Sequence, residues 1–255
     1  MSARHQWLRR PLSRPNLRAV LVCCPHAGGD AGFFHPWARA LPEAVELLAV
    51  QYPGRGGATP PPPRSSALHT WADEITDALR PLRGHRLALF GHSMGAVLAY
   101  EIARRLDSRR LTPERLFVSA SPPPGAERPR RGDAGDAELV AALRRWGRVD
   151  PASLDQPDQR AAMLDALRGD LRVLDAYRPG PATRLGCPVT ALAGADDTEV
   201  APSAVRGWRH RTAAPFDLVT FPGDHFYLAA HRDEVVAVVA DRLGVADPAS
   251  AWVAP

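Results

Sequence analysis

Residues 87–103, LALFGHSMGAVLAYEIA, decide how this chain is read. Leu87, Ala88, Leu89 and Phe90 make an apolar run of the length of a buried parallel strand. Gly91-His92-Ser93-Met94-Gly95 follows as a G-x-S-x-G, and then Val97, Leu98, Ile102 and Leu106 recur at helical spacing, with Glu101, Arg104 and Arg105 between them. Strand, sharp turn and helix give the pentapeptide a mechanical meaning. Two glycines let the chain fold tightly around Ser93, whose backbone can then take a strained conformation that lifts Oγ above the sheet edge. The helix that starts there turns its free N–H groups toward a developing negative charge.

Working back from this stretch, residues 19–24 (AVLVCC) read as a buried strand that ends in Pro25-His26-Ala27-Gly28-Gly29. Phe33, Phe34, Trp37 and Leu41 then suit a helix face. The Gly-rich turn matches neither G-x-x-x-x-G-K-[ST] nor G-x-G-x-x-G, so it is not read as a nucleotide loop. In a serine hydrolase its backbone N–H would face the one that follows the nucleophile, and the two would bind an oxyanion. Residues 46–51 form another short strand, followed by Tyr52-Pro53-Gly54-Arg55-Gly56-Gly57 and the proline run 60–63, which are loop. Leu68, Trp71, Ala72, Ile75 and Leu79 mark an amphipathic helix that stops near Pro81.

Working forward, residues 116–119 (LFVS) make a strand, and there the rhythm changes. Residues 122–181 hold no convincing strand; Leu139, Val140, Leu143 and Trp146 suggest one helix, and Met163, Leu164, Leu167, Leu171 and Leu174 one or two more. A helical insertion in an alternating pattern reads as a lid over the strand ends, or as simple cover for the sheet. Strands resume at 189–193 (VTALA) and 217–221 (DLVTF), with a helix over 203–211 between them and a last helix over about 227–243. Alternation of this kind predicts one α/β domain over 1–255, its sheet mostly parallel and covered by helices on both faces, with a lid at about 122–181.

A serine hydroxyl becomes a nucleophile when an imidazole accepts its proton and a carboxylate fixes that imidazole's tautomer. In a parallel sheet such groups converge at the C-terminal strand ends. Of nine histidines, His225 lies in the loop after the last strand, whereas His231 falls inside the final helix. His26 and His92 sit in the two turns that shape the site, where backbone geometry outweighs their rings. Asp196 and Asp197 both follow the preceding strand; the Gly194-x-x-Asp197-x-x-Val200 spacing favours Asp197 as the carboxylate, with Asp196 capping the turn as the alternative.

Composition bounds the rest. In 255 residues, 45% are hydrophobic and 24% charged, as in soluble globular proteins. Every one of the 32 basic residues is Arg, and the net charge of +4 comes with no nucleic-acid motif. Cys23, Cys24 and Cys187 make no disulfide framework and suit a reducing cytoplasm. No signal peptide, transmembrane run or short Cys/His metal cluster is present in the sequence, so a cytoplasmic protein without a metal or membrane partner is expected.

Taken together, VCCPHAGG (22–29), QYPGRGG (51–57), FGHSMGA (90–96), AGADD (193–197) and FPGDHFYL (221–228) resemble the α/β-hydrolase fold, and more narrowly the type II thioesterases that accompany modular polyketide synthases and nonribosomal peptide synthetases. The likeness covers nearly the whole chain, and the order Ser93, Asp197, His225 is that of the fold. One departure is at 119–124, where Ser-Ala-Ser-Pro-Pro-Pro stands in place of an Arg-Ala-Pro-like turn at the lid's first hinge. The resemblance implies hydrolysis of acyl thioesters on the phosphopantetheine arm of an acyl or peptidyl carrier protein, with Ser93 as nucleophile, His225 as base, Asp197 as its carboxylate and the N–H groups of Ala27 and Met94 as oxyanion hole. It implies no cofactor. A general carboxylesterase or lipase-like hydrolase, and a non-catalytic binding protein of the same fold, are the rival readings; a chain-terminating cyclase is disfavoured because such domains are usually fused to a synthase. Arg128, Arg130 and Arg131, with Arg144, Arg145 and Arg148, either dock an acidic carrier domain or form the solvated face of an Arg-rich protein.

Overall fold

The computed structural model describes residues 7–55, 68–147 and 149–246. Its strands are β1 (Leu8–Arg9), β2 (Ala19–Cys24), β3 (Val45–Val50), β4 (Arg86–His92), β5 (Arg115–Ser119), β6 (Val189–Gly194) and β7 (Phe216–Phe221). Among the described residues they form one sheet in the order β1-β3-β2-β4-β5-β6-β7. Only β1 runs antiparallel, against β3; every other neighbouring pair is parallel. β2, β3 and β6 are buried along their whole length, which is why they read as continuous apolar runs. Their side chains still alternate. Val20, Val22 and Cys24 join the apolar cluster that holds Trp71, Ile75 and Ile102, while Leu21 and Cys23 join Phe34, Trp37 and Val239 on the other face. The adjacent cysteines therefore point into opposite layers and remain free thiols.

Helices cover both faces. A 3-10 turn at Ala31–Phe34 leads into α1 (His35–Ala40); α2 (Leu68–Ala78) and α3 (Met94–Ser108) follow. Between β5 and β6 lie α4 (Asp136–Trp146), α5 (Pro151–Asp155) and α6 (Pro157–Ala176), the helical insertion expected there. α7 (Pro202–Val205), α8 (Tyr227–Ala230) and α9 (Arg232–Arg242) complete the set. No helix among the described residues is long and apolar enough to cross a membrane.

The structure corrects the sequence reading in four places. β1 has two residues, too short to show a period, and is held by its ladder to Val50 and Ala49 and by Trp7, whose indole donates to Glu74 at 2.7 Å. The helix expected over 203–211 is one α-turn followed by a 3-10 segment, Arg206–Arg211, where Gly207 lies against Pro123 and Trp208 is buried. The final helix is broken at His231, which lies between α8 and α9 and reaches Glu234 at 3.4 Å. Glu101, read as a polar residue between the apolar positions of its helix, is fully buried because Tyr177 closes over it at 2.8 Å and Arg105 pairs with it at 2.6 Å. The proline run 60–63 lies outside the described residues.

Chain order sets where a site can form. From β2 the chain steps to β3 on one side and then returns to β4 on the other, so the loops leaving β2 and β4 diverge and open a crevice at their C-terminal ends. One of those loops carries Ala27 and the other carries Ser93.

Candidate active site

Ser93 is the cap of α3 and adopts φ 55°, ψ −118°, a conformation that costs on the order of 1–3 kcal/mol for a residue with a side chain. The flanking glycines make that turn possible by lacking a Cβ: one on Gly91 would strike the backbone of Gly95 and Ala96, and one on Gly95 would strike the carbonyls of Cys24 and Pro25. The β4–α3 turn thus packs backbone to backbone against itself and against the end of β2. Ser93 N donates to Ser119 O at 2.8 Å, tying the elbow to β5.

Ser93 Oγ donates to His225 Nε2 at 3.0 Å, and His225 Nδ1 donates to Asp197 Oδ2 at 2.8 Å. A carboxylate can only accept, so the proton rests on Nδ1 and Nε2 faces the serine. The other oxygen of Asp197 accepts from the N–H groups of Glu199 and Val200 at 2.8 and 3.0 Å, an Asx-type turn that accounts for the Asp-x-x-Val spacing. Asp196 is directed elsewhere, accepting from Gly223 N at 3.1 Å. The structure therefore brings Ser93, His225 and Asp197 together and leaves Asp196 at the turn. Met94 opens α3, where the first N–H groups have no acceptor within the helix, and the Ala27 N–H has no acceptor among the described residues.

The rings of His26 and His92 do more than the sequence reading gave them. His92 is buried behind His225 with their centroids 5.2 Å apart, shares a hydrogen bond with Ser119 Oγ at 2.9 Å, and through it meets Tyr227. Burial, with His225 and His26 beside it, holds its imidazole well below the ordinary range, so it is a neutral wall. His26 packs edge-on to Phe33 and Phe226, both at 4.8 Å. Phe226 lies edge-on to His225 at 5.4 Å, and Trp146 from α4 of the helical insertion stacks on His225 at 6.5 Å. Sequence reasoning placed Trp146 on the apolar face of a helix without saying what that face covers; it covers the histidine.

A cleft of 480 Å³ opens over Ser93 and His225, bordered by Ala27, Met94, Trp146 and Arg128. The hinge at 119–124 is tightly held in spite of its unusual sequence. Ala120 takes φ 47°, Trp208 Nε1 donates to Ser121 O at 2.7 Å, and Arg211 reaches Pro124 O. Arg128 donates to Pro122 O at 2.5 Å, and burial pulls its guanidinium down to about 10.

The basic set is largely engaged within the molecule. Arg131 pairs with Glu199 at 2.6 Å, Arg145 with the same carboxylate, and Arg144 with Asp155 at 3.6 Å. Arg130 is exposed without a carboxylate partner among the described residues, and Arg148 lies outside them. Glu199 thus joins the loop that carries Asp197 to both ends of the first segment of the helical insertion.

With this geometry in place, comparison with known proteins is direct. The sequence profile described as "Thioesterase domain" matches residues 19–243. The AMB antimetabolite synthetase AmbE of Pseudomonas aeruginosa is 41% identical over 245 residues, which are 94% of this chain but 11% of that protein. Thioesterase PikA5 of Streptomyces venezuelae is 37% identical over 240 residues, 93% of this chain and 85% of that one. Among solved structures, the type II thioesterase BorB from the borrelidin biosynthetic cluster superposes with a TM-score of 0.81 at 38% identity, covering 96% of this chain and 98% of that one.

Proposed function

This chain belongs to the thioesterase family, and from that premise we propose that it is an editing type II thioesterase: it hydrolyses acyl or aminoacyl thioesters from the phosphopantetheine arm of carrier proteins in polyketide or nonribosomal peptide biosynthesis. What carries the reading is the Ser93–His225–Asp197 relay, with bonds of 3.0 and 2.8 Å, at the floor of a cleft beside the N–H groups of Ala27 and Met94, which have no backbone acceptor among the described residues.

In the proposed mechanism His225 Nε2 takes the Ser93 proton as Oγ attacks the thioester carbonyl. Negative charge develops on the carbonyl oxygen, and the N–H groups of Ala27 and Met94 receive it. The tetrahedral adduct collapses, the pantetheine sulfur leaves with the proton from His225, and an acyl-serine remains. Water, deprotonated by His225, then attacks the ester and frees the acid and Ser93. Asp197 holds the Nδ1 tautomer and faces the imidazolium in both halves. The chemistry uses no cofactor or metal of the enzyme's own. The partner in this reading is an acyl or peptidyl carrier protein in the cytoplasm, where three free thiols stay reduced.

The test is hydrolysis of a panel of acyl-carrier proteins, small acyl thioesters and small oxygen esters by the purified chain and by Ser93→Ala. Carrier-bound thioesters should be cleaved with the highest kcat/KM, and Ser93→Ala should lose about 10⁴-fold or more in kcat with its fold kept. Preference for small oxygen esters would make the chain a general carboxylesterase. An active Ser93→Ala would remove the nucleophile assignment.

A further inference from the structure

The Tyr52-Pro53-Gly54-Arg55 motif and a buried acid on the lid have no part in the relay, yet both converge on the loop that carries Ala27. Tyr52 is fully buried, and its hydroxyl donates to Pro25 O at 2.6 Å. Three residues on, the Gly28 N–H donates to Asp170 Oδ2 at 2.7 Å. Asp170 belongs to α6 and is 4% exposed. The same Oδ2 accepts from Arg55 Nη2 at 2.5 Å, and that guanidinium also reaches Ala166 O at 3.2 Å and lies 5.4 Å from the Tyr52 ring centroid. One turn before Asp170, Leu167 is fully buried against Gly28, where an added Cβ would come within 3.3 Å of its side chain. Gly28 stands at φ 79°, and Gly29 N donates to His26 O at 3.1 Å, which closes the turn. Ala27 is therefore bracketed: Pro25 is fixed from β3's side of the sheet, and Gly28 is fixed from the lid.

We propose that Asp170 is a positioning residue for the oxyanion hole: with Arg55 and Tyr52 it fixes the Pro25–Gly28 loop so that the Ala27 N–H points at the reacting carbonyl. The geometry explains why the connection crosses from lid to body. A backbone donor stabilises an oxyanion only if it is aimed before charge develops, since reorientation during the reaction cancels the gain. Gly28 in the left-handed region has a soft backbone, and two hydrogen bonds on either side of Ala27 remove that freedom. Because Asp170 lies on α6, any displacement of that helix would remove the acceptor of the Gly28 N–H.

This assignment rests on the serine thioesterase reading, and its test is separable from that reading. On an acyl-pantetheine thioester, Asp170→Ala in the full chain should lower kcat by about 10- to 50-fold with KM within about threefold. An alkyl boronic acid, which forms a tetrahedral adduct on Ser93, should lose affinity by the same factor as kcat/KM. A non-cleavable acyl-pantetheine amide should keep its affinity, because it develops no oxyanion. Tyr52→Phe removes the other hydrogen bond with little change in volume and should show the same signature at about 3- to 10-fold. Thermal melts of each variant establish that the fold is kept; if Asp170→Ala does not fold, Asp170→Asn and Tyr52→Phe carry the test. Parent-like kcat in the folded variants, or equal weakening of boronate and amide, overturns the assignment. Failure of the parent itself to hydrolyse thioesters overturns the thioesterase reading instead.

Discussion

Asp197 divides its two oxygens between the loop that carries it and the imidazole it faces. Asparagine would keep a carbonyl for the Glu199 and Val200 N–H groups but would turn an NH2 toward Nδ1, favouring the tautomer with its proton on the serine side. Asp197→Asn should therefore lower kcat by about 10³- to 10⁴-fold, whereas Asp196→Asn, which touches only Gly223 N, should stay within about threefold. Steady-state kinetics of the two variants on one acyl thioester decide this, and the reverse ranking would transfer the role to Asp196. The placement of Asp197 opposite His225 was legible because an Asx turn imposes a fixed offset to Val200, and such local spacings survive in sequence. The ring of Trp146 over His225 was not readable: it depends on how a helix 79 residues away in the chain docks, and no local period encodes that.

Among the elements, α6 carries a charge into a place where burial opposes it. Asp170 and Arg55 expose 5% and 8% of their side chains, and burial lifts the Asp170 carboxyl to about 6, with Arg55 and the Gly28 N–H pulling the other way. Well below pH 4 Asp170 is protonated in both folded and unfolded chains and adds nothing to the balance. Between about pH 4 and 6 the unfolded chain releases its proton first, so the folded state loses stability as pH rises, by about 3 kcal/mol once both are ionised. Urea unfolding of the parent and Asp170→Asn at pH 4.5 and 7.5 checks this. The parent should lose stability relative to the variant across that interval, and parallel curves would mean the carboxyl titrates as an exposed one. A helix that lowers stability near neutral pH is consistent with a carboxylate kept for positioning rather than for holding the fold. Periodicity of Leu164, Leu167 and Leu171 revealed the helix, and Asp170, three residues after Leu167, falls on that same face, but a helical period does not name the distant partner that lets an acid be buried there. Its burial follows from Arg55, 115 residues away.

At the scale of the whole molecule, the parallel sheet delivers Ala27, Ser93, Asp197 and His225 from β2, β4, β6 and β7 to one edge, which is why alternation and chain order were enough to locate them. Charge is different. With 32 Arg and 28 acids, the sequence cannot say which guanidiniums are free, and the fold uses Arg131 and Arg145 to tie the helical insertion to Glu199. Of the basic residues at the start of the helical insertion, Arg130 is the one left exposed without a carboxylate partner among the described residues. Reversal of charge at these neighbours should then have different consequences. Arg131→Glu places an acid against Glu199 and loosens the lid, so it should lower kcat/KM for carrier-bound and free acyl-pantetheine thioesters alike. Arg130→Glu leaves the lid and the relay untouched, so it should act only on encounter with an acidic carrier protein and lower that kcat/KM alone by about 3- to 10-fold. Raising salt from about 50 to 500 mM should weaken the carrier-protein reaction of the parent and leave the small substrate unaffected, since screening shortens the reach of a net charge of +4. In Arg130→Glu that salt dependence should shrink. A salt response identical in parent and variant, or a loss shared by the small substrate, would mean that Arg130 takes no part in carrier-protein encounter.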